Sequence, residues 1–146
     1  MATKSIVCGV TGSENSEKAV MSAAETAKDD AARLAFVYVV DTRFLQGLTI
    51  QLRPKHTEDF LERLGHKILD EAVAVASSKG VSAKKVMRKG KILDEVSKVI
   101  KEEAADLFIV GDEGRTFAEK ILFGKKMPDN VRELGRRAGV VVKVIK

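Results

Sequence analysis

Short apolar runs alternate along the chain with longer segments whose apolar residues recur at helical spacing. Each run is too short and too rich in β-branched residues for a helix, which predicts a buried strand. The predicted strands cover residues 5–10, 33–40, 81–88, 107–110 and 140–145. The third alternates poorly and carries few large apolar residues, as expected of an edge strand.

Four helices are predicted between these strands. Ser13 is the candidate N-cap of the first, because its side chain can accept a hydrogen bond from a first-turn N–H group. Thr57 is the candidate N-cap of the second, which should end before Gly80 at the C′ position. The third and fourth cover residues 91–104 and 128–137.

The second predicted helix has a clear apolar stripe. Residues 42–56, which precede it, lack periodicity and include Pro54, so they predict a long connection. The positions expected to be buried in the stripe are Leu61, Leu64, Ile68, Ala72 and Val75.

The strand and helix order βαβαβαβαβ predicts an α/β fold. We expect residues 1–146 to form a single domain with three layers, α/β/α, around a five-stranded, mostly parallel sheet. Ligands bind such sheets at the carboxyl ends of the strands, where the winding reverses. The turns predicted to line that crevice are residues 9–13, 39–42 and 111–127.

Composition agrees with an ordinary soluble globular protein, with 45% hydrophobic and 32% charged residues. No apolar run approaches the roughly 20 residues of a membrane span. The first ten residues lack the order of a secretory signal, and one cysteine, Cys8, allows no internal disulfide. We therefore expect a cytoplasmic protein, with Cys8 acting as a small buried hydrophobe.

Three glycines follow the fourth predicted strand with the spacing G-x2-G-x9-G. Glycines can adopt a positive φ and let backbone N–H groups approach a ligand. Lys125 and Lys126 come next, ahead of a predicted helix start, which favours a phosphate site. The alternatives are that the glycines only turn the chain and that the lysines are simply solvated. The glycines are Gly111, Gly114 and Gly124.

Other candidate chemistry is weaker. Asp112 and Glu113 are of the type that binds Mg²⁺ beside a triphosphate, although two acidic loop residues are more often solvated. His56 and His66 have no partner at metal-ligand spacing, so no metal site is predicted. No catalytic residue is predicted, and any hydrolysis of a bound phosphate compound should be slow, because only Arg115 resembles an arginine finger.

A basic cluster at residues 84–91, KKVMRKGK, has no interleaved aromatic residues. The chain has no tryptophan and one tyrosine, which argues against a stacking platform for single-stranded nucleic acid. We interpret the cluster as a solvated strand edge, and we expect neither a nucleic-acid nor a membrane partner.

The whole chain resembles the universal stress proteins, a small α/β family related to the adenine-nucleotide α-hydrolases. The resemblance rests on GSENSEKAV after the first strand, VYVVDT at the end of the second, GKILDEVSKVIKEEAADLFIVG, and the three spaced glycines. Members that keep this glycine pattern bind ATP, and others have lost it. The resemblance implies nucleotide binding by Val10, Thr11, Val39, Gly111, Gly114, Arg115, Gly124, Lys125 and Lys126.

The chain departs from the ATP-binding pattern at two positions. Thr11 stands where an aspartate is usual, and Lys125 stands where a serine or threonine follows the third glycine. A threonine can still accept a hydrogen bond, but a neutral contact is about half as strong as a charge-assisted one. The resemblance also implies a homodimer that pairs the last strand with its copy through Val140, Val141, Val142 and Val144.

Three functions follow as hypotheses. The first is a cytoplasmic stress-response or signalling protein that binds ATP, with or without Mg²⁺, and acts on an unidentified signalling partner. The second is a nucleotide-free interaction protein of the same fold, which Thr11 and Lys125 favour. The third, a slow ATPase, lacks an evident base.

Overall fold

The computed structural model describes residues 3–41, 54–112 and 135–146, with residues 41 and 54–58 described by their backbone alone. Five strands and three helices lie in this part of the chain, and residues 135–138 are also helical. The strands are β1 (Ser5–Gly9), β2 (Arg33–Asp41), β3 (Ala83–Gly90), β4 (Leu107–Gly111) and β5 (Val141–Ile145). The helices are α1 (Glu14–Asp30), α2 (Pro54–Ser78) and α3 (Ile92–Glu102).

The five strands form one sheet in the order β3-β2-β1-β4-β5. All four pairings between neighbouring strands are parallel. The chain winds outward from β1 to β3 on one side and from β4 to β5 on the other, so the direction of winding reverses between β1 and β4. The predicted α/β fold is confirmed, and the described sheet is entirely parallel.

Hydrophobic cores cover both faces of the sheet. On one face α1 and α2 pack over alternate residues of the central strands, with Phe36 and Ile109 fully buried among them. On the other face α3 packs over the intervening residues, including Val7 and Val37. Because successive strand residues point to opposite faces, a strand buried on both sides reads as a continuous apolar run.

The two ends of α2 differ in how well the sequence predicts them. The helix begins at Pro54, so the predicted connection through residue 56 and the N-cap at Thr57 are wrong. Proline suits a first helical turn, because the N–H group that it lacks has no partner there. The predicted end is confirmed: Gly80 has a φ of +83°, and the N–H of Val81 bonds to the carbonyl of Ala76.

The apolar stripe of α2 is partly different from the prediction. Leu64 is 38% exposed, whereas Leu69 and Ala76 are buried. Of the other predicted stripe residues, Ala72 is buried, and Leu61, Ile68 and Val75 are half-buried against the core.

Ion pairs flank the outer strand β3 on both faces, and the predicted edge strand is confirmed with bounds shifted by two residues. Lys84 and Arg88 pair with Glu103 and Glu102 on the α3 side. Lys85 and Lys89 pair with Asp70 and Glu62 of α2. Exposed pairs of this kind stabilise a fold little individually. Their charges nevertheless disfavour the addition of another strand at this edge.

Candidate nucleotide site at the carboxyl edge of the sheet

The reversal of winding places a crevice at the carboxyl ends of β1 and β4. These strands are paired up to Gly9 and Val110, and the next strand in sequence, β2 after β1 and β5 after β4, lies on the opposite side of the pair in each case. In open α/β sheets this switch point is where ligands bind. The described residues that reach it belong to the turn after β1, the end of β2 and the end of β4.

The turn after β1 is held against both the sheet and α2. Val10 is buried, and its N–H donates to the carbonyl of Val37 at 3.0 Å. Gly12 has a φ of +87°, and a Cβ atom there would lie 2.8 Å from Cδ1 of Ile68. Gly12 is therefore required both by its backbone conformation and by the helix that borders the turn.

Thr11, which is predicted to contact the nucleoside, makes hydrogen bonds within this turn. Its N–H donates to Oγ of Ser16 at 2.9 Å, and its hydroxyl donates to Oγ of Ser13 at 3.3 Å. Ser13 in turn accepts a hydrogen bond from the N–H of Ser16 at 3.0 Å, as predicted for the N-cap of α1. The side chains of the first turn of α1 thus hold the turn that follows β1.

Val39 lies where β2 extends past the end of β1. The pairing of these strands ends at Gly9 and Val37, and the Val37 carbonyl faces the β1 side. Because main-chain groups of alternate strand residues point to the same side, the N–H and C=O of Val39 face the space beyond β1. This places one donor and one acceptor at the crevice.

Gly111 is buried at the end of β4. Glycine is required there for a reason other than the positive φ that the sequence suggested. It is not among the glycines with a positive φ in the described part of the chain. Instead, a Cβ atom on Gly111 would lie 2.5 Å from the carbonyl of Asn15 and 2.7 Å from the N atom of Ser16. The close approach of α1 to β4 therefore requires glycine here.

The main chain of the next residue, Asp112, makes hydrogen bonds on two sides. Its N–H donates to the carbonyl of Ile145 at 2.7 Å. Its carbonyl accepts a hydrogen bond from Nδ2 of Asn15. Asn15 and Ser16 were not predicted as site residues. Ser16 lies three residues after the N-cap Ser13, a position from which a side chain can reach back to the residues before a helix.

Most of the predicted phosphate-binding residues lie outside the described residues. These are Gly114, Arg115, Gly124, Lys125 and Lys126, together with Glu113. Within the described ranges, no group of three or more His, Cys, Asp or Glu residues is arranged to hold a metal ion. No helix in the same ranges is long and apolar enough to cross a membrane.

Cys8 is fully buried in β1, as expected of a small core hydrophobe. Burial raises the pKa of its thiol, because the thiolate would lose its hydration. The thiol therefore stays protonated and unreactive at neutral pH.

Comparisons with known proteins agree with this geometry. The family model described as the universal stress protein family matches residues 2–126. Universal stress protein MJ0531 of Methanocaldococcus jannaschii is 30% identical over 121 residues, which are 83% of this chain and 71% of that protein.

Two solved structures share the fold. A universal stress protein in complex with cAMP has a TM-score of 0.69 at 24% identity, over 99% of this chain and 98% of that one. The universal stress protein of Archaeoglobus fulgidus in complex with dAMP has a TM-score of 0.62 at 20% identity, over the full length of both chains. On the family match and the relative together, the chain belongs to the universal stress protein family.

Proposed function

We propose that this protein binds ATP at the carboxyl edge of its sheet and acts as a cytoplasmic stress-response or signalling protein. The observation that carries the proposal is the stagger between β1 and β2, which directs the N–H and C=O of Val39 into the crevice. A purine edge needs one donor and one acceptor, and a peptide backbone supplies both. The universal stress proteins whose structures contain cAMP and dAMP support an adenine nucleotide as the ligand class.

The phosphates would then lie toward the segment that begins after Asp112. The sequence there carries Gly114, Arg115, Gly124, Lys125 and Lys126. Backbone N–H groups freed by glycines and the lysine ammonium groups would bind phosphate oxygens. Asp112 and Glu113 are the residues that would hold Mg²⁺ beside the triphosphate.

The experiment is to denature the purified protein and identify any released nucleotide by chromatography, then to titrate the nucleotide-free protein with ATP, AMP and adenosine. We expect ATP to bind more tightly than AMP, and AMP more tightly than adenosine. Failure to bind any of the three by a folded protein would contradict the proposal.

One observation favours the second candidate, a nucleotide-free interaction protein. Thr11 supplies no charged acceptor, and both its N–H and its hydroxyl donate within the turn. The hydroxyl oxygen also accepts a hydrogen bond from the N–H of Ser13 at 3.4 Å, so a ligand that donated to this oxygen would have to compete with Ser13. The same titration separates the two candidates, because the interaction protein binds none of the three compounds.

We also propose a homodimer in which β5 pairs with its copy across a two-fold axis. β5 is an outer strand, and Val141 is 68% exposed, whereas ion pairs flank the opposite edge strand β3. An apolar edge strand favours pairing with another chain. Val142 and Val144 are half-buried, and Val140 is buried just before the strand, so Val141 contributes the most exposed side chain of the predicted four.

A further inference from the structure

A cavity of about 360 Å³ lies at the amino ends of β1, β2 and β3, at the edge of the sheet opposite the crevice. β2 runs from this cavity to the crevice edge, so at about 3.3 Å per residue the two are roughly 25 Å apart. The volume is within the range of small-molecule sites in proteins. The residues that line it include Arg33, Ala35, Ala83, Lys84 and Glu103.

Small side chains and the end of α3 leave this space open. Ser5, Ala35 and Ala83, at the starts of three neighbouring strands, all line the cavity. α3 ends beside them, because Ala104 has a φ of +50° and the chain then turns away toward β4. Oγ of Ser5 donates to the carbonyl of Glu103 at 2.9 Å, which holds the helix end against β1. The cavity is therefore bounded by strand starts and a helix end.

Two cations and one carboxylate line the cavity. Nζ of Lys84 lies 2.7 Å from Oε1 of Glu103, so these two charges balance each other. Arg33 has no carboxylate partner among the described residues, and its one hydrogen bond to them, from Nη2 to the Glu103 carbonyl, is 3.5 Å long. A guanidinium carries five N–H donors in a planar fork that suits a carboxylate. The cavity therefore has one unbalanced positive charge, and the Arg33 donors are available to an anion.

We propose that this cavity binds a small organic carboxylate, a monoanion with a short apolar chain. The carboxylate would accept hydrogen bonds from Arg33, with Lys84 adding a second positive charge nearby. The apolar chain would pack against Ala35 and the neighbouring residue Leu34. A dianion is disfavoured, because the Glu103 carboxylate lines the same cavity and the net charge there is a single positive one. The proposal does not depend on nucleotide binding at the opposite edge.

The test is to titrate isotope-labelled protein with isovalerate, isovaleramide and isoamylamine, which share one carbon skeleton, and to follow the amide chemical shifts by NMR. We expect isovalerate to shift the amides of Ser5, Arg33 and Lys84 in a saturable way and to leave Val39, at the crevice edge, unchanged. The neutral amide and the amine should bind at least fivefold more weakly, because they lack the charge that Arg33 would pair with. No saturable shift with isovalerate, or equal binding of isovaleramide, would overturn the proposal.

Arg33→Gln removes the unbalanced charge and keeps a polar side chain at an exposed position. We expect it to weaken isovalerate binding by about fivefold, the order expected for a solvent-exposed ion pair. The matched control is Lys85→Gln, which also removes one positive charge, but from a residue that pairs with Asp70 of α2 on the other face of the sheet. The control should bind isovalerate as wild type does. An equal loss in both variants would contradict the role of Arg33.

A second variant, Ser82→Asp, tests the cavity without removing any contact of Arg33. Ser82 lines the cavity and is exposed, so the fold should tolerate the change. The added carboxylate should weaken isovalerate binding at low salt, and the loss should shrink at high salt, where the repulsion is screened. Wild-type affinity in Ser82→Asp at low salt would overturn the proposal. ATP titrations of the same variants keep the two proposals apart, because nucleotide binding at the crevice should be unchanged in all of them.

Discussion

The ring of Tyr38 on β2 packs directly against the backbone of Gly65 in the middle of α2. A Cβ atom on Gly65 would lie 2.5 Å from Cδ1 of Tyr38 and 2.7 Å from Cε of Met87. Tyr38 is buried, so its ring has little room to move away. The absence of a side chain at Gly65 is therefore what lets α2 lie close to the sheet beside the crevice.

Gly65→Ala should destabilise the protein even though alanine is the better helix former. Overpacking a core contact costs about 1–3 kcal/mol, which exceeds the gain of about 1 kcal/mol in helix propensity. Urea unfolding followed by circular dichroism measures the difference. The control is Gly135→Ala, whose Cβ would meet its nearest neighbour, the Val140 carbonyl, at 3.4 Å. An equal loss of stability in both variants would contradict this explanation.

Asp106 should make the stability of the protein sensitive to acid. Its carboxylate accepts hydrogen bonds from the N–H groups of Lys4 at 3.0 Å and Ser5 at 3.2 Å. The Lys4 N–H contributes most to holding the pKa of this carboxyl below its ordinary value. A lowered pKa in the folded state means that this stabilisation is present above about pH 4, the unfolded pKa, and is lost as the pH falls through the folded pKa.

Asp106→Asn should therefore be less stable than wild type at pH 7, by an amount that shrinks as the pH falls below about 4. Urea midpoints between pH 7 and pH 3 test this. Asp29→Asn, at an exposed position on α1, serves as the control for loss of one negative charge. A difference between wild type and Asp106→Asn that stays constant over the whole range would show that the charge of Asp106 does not matter.

Val39→Ala should weaken ATP binding only modestly, because the adenine contacts are assigned to the Val39 backbone. The lost side chain packs against the core on the α3 face of the sheet, so a small loss of stability should accompany it. Calorimetric titration with ATP, together with thermal unfolding, separates the two effects. Complete loss of binding by a folded Val39→Ala protein would mean that the side chain itself recognises the ligand.

Lys125→Ser would restore the residue type that the ATP-binding members of the family carry. If Lys125 binds a phosphate oxygen, the charge-assisted contact contributes roughly 1.5–3 kcal/mol, and its removal should cost ATP affinity but not adenosine affinity. The loss should be smaller at high salt, where the ammonium is screened. Titrations at two salt concentrations test this. Tighter ATP binding by Lys125→Ser would indicate that the lysine obstructs the site.

Val141→Lys should separate the proposed dimer. The two-fold axis would bring the introduced charges of both copies to one interface, where like charges on paired strands repel. Sedimentation velocity at micromolar concentration should show a dimer for wild type and a monomer for Val141→Lys. Met21→Lys, which changes an exposed apolar residue of α1, should remain dimeric. A monomeric wild-type protein would overturn the homodimer.

The pattern of apolar residues was sufficient to predict the parallel α/β architecture and the end of the sheet at which a ligand would bind. Both follow from local rules: strands buried on two faces are continuously apolar, and parallel strands separated by helices must share one carboxyl edge. Ser13 and Gly80 were also predictable, because a helix end must satisfy its own backbone groups within a few residues. The start of α2 was not, since Thr57 and Pro54 both suit a helix N-terminus.

Only the tertiary structure explains why particular residues are found in the site and beside it. Gly111 is glycine because the backbone of α1 approaches β4, and Gly65 because the Tyr38 ring lies beneath α2. Asn15 donates a hydrogen bond to the carbonyl of Asp112, which lies 97 residues further along the chain. The sequence by itself determined the order and periodicity of the elements, because these depend on neighbours along the chain. The contacts that orient Val39 and Asp112 at the crevice depend on strand stagger and helix docking, which bring together residues that are remote in sequence.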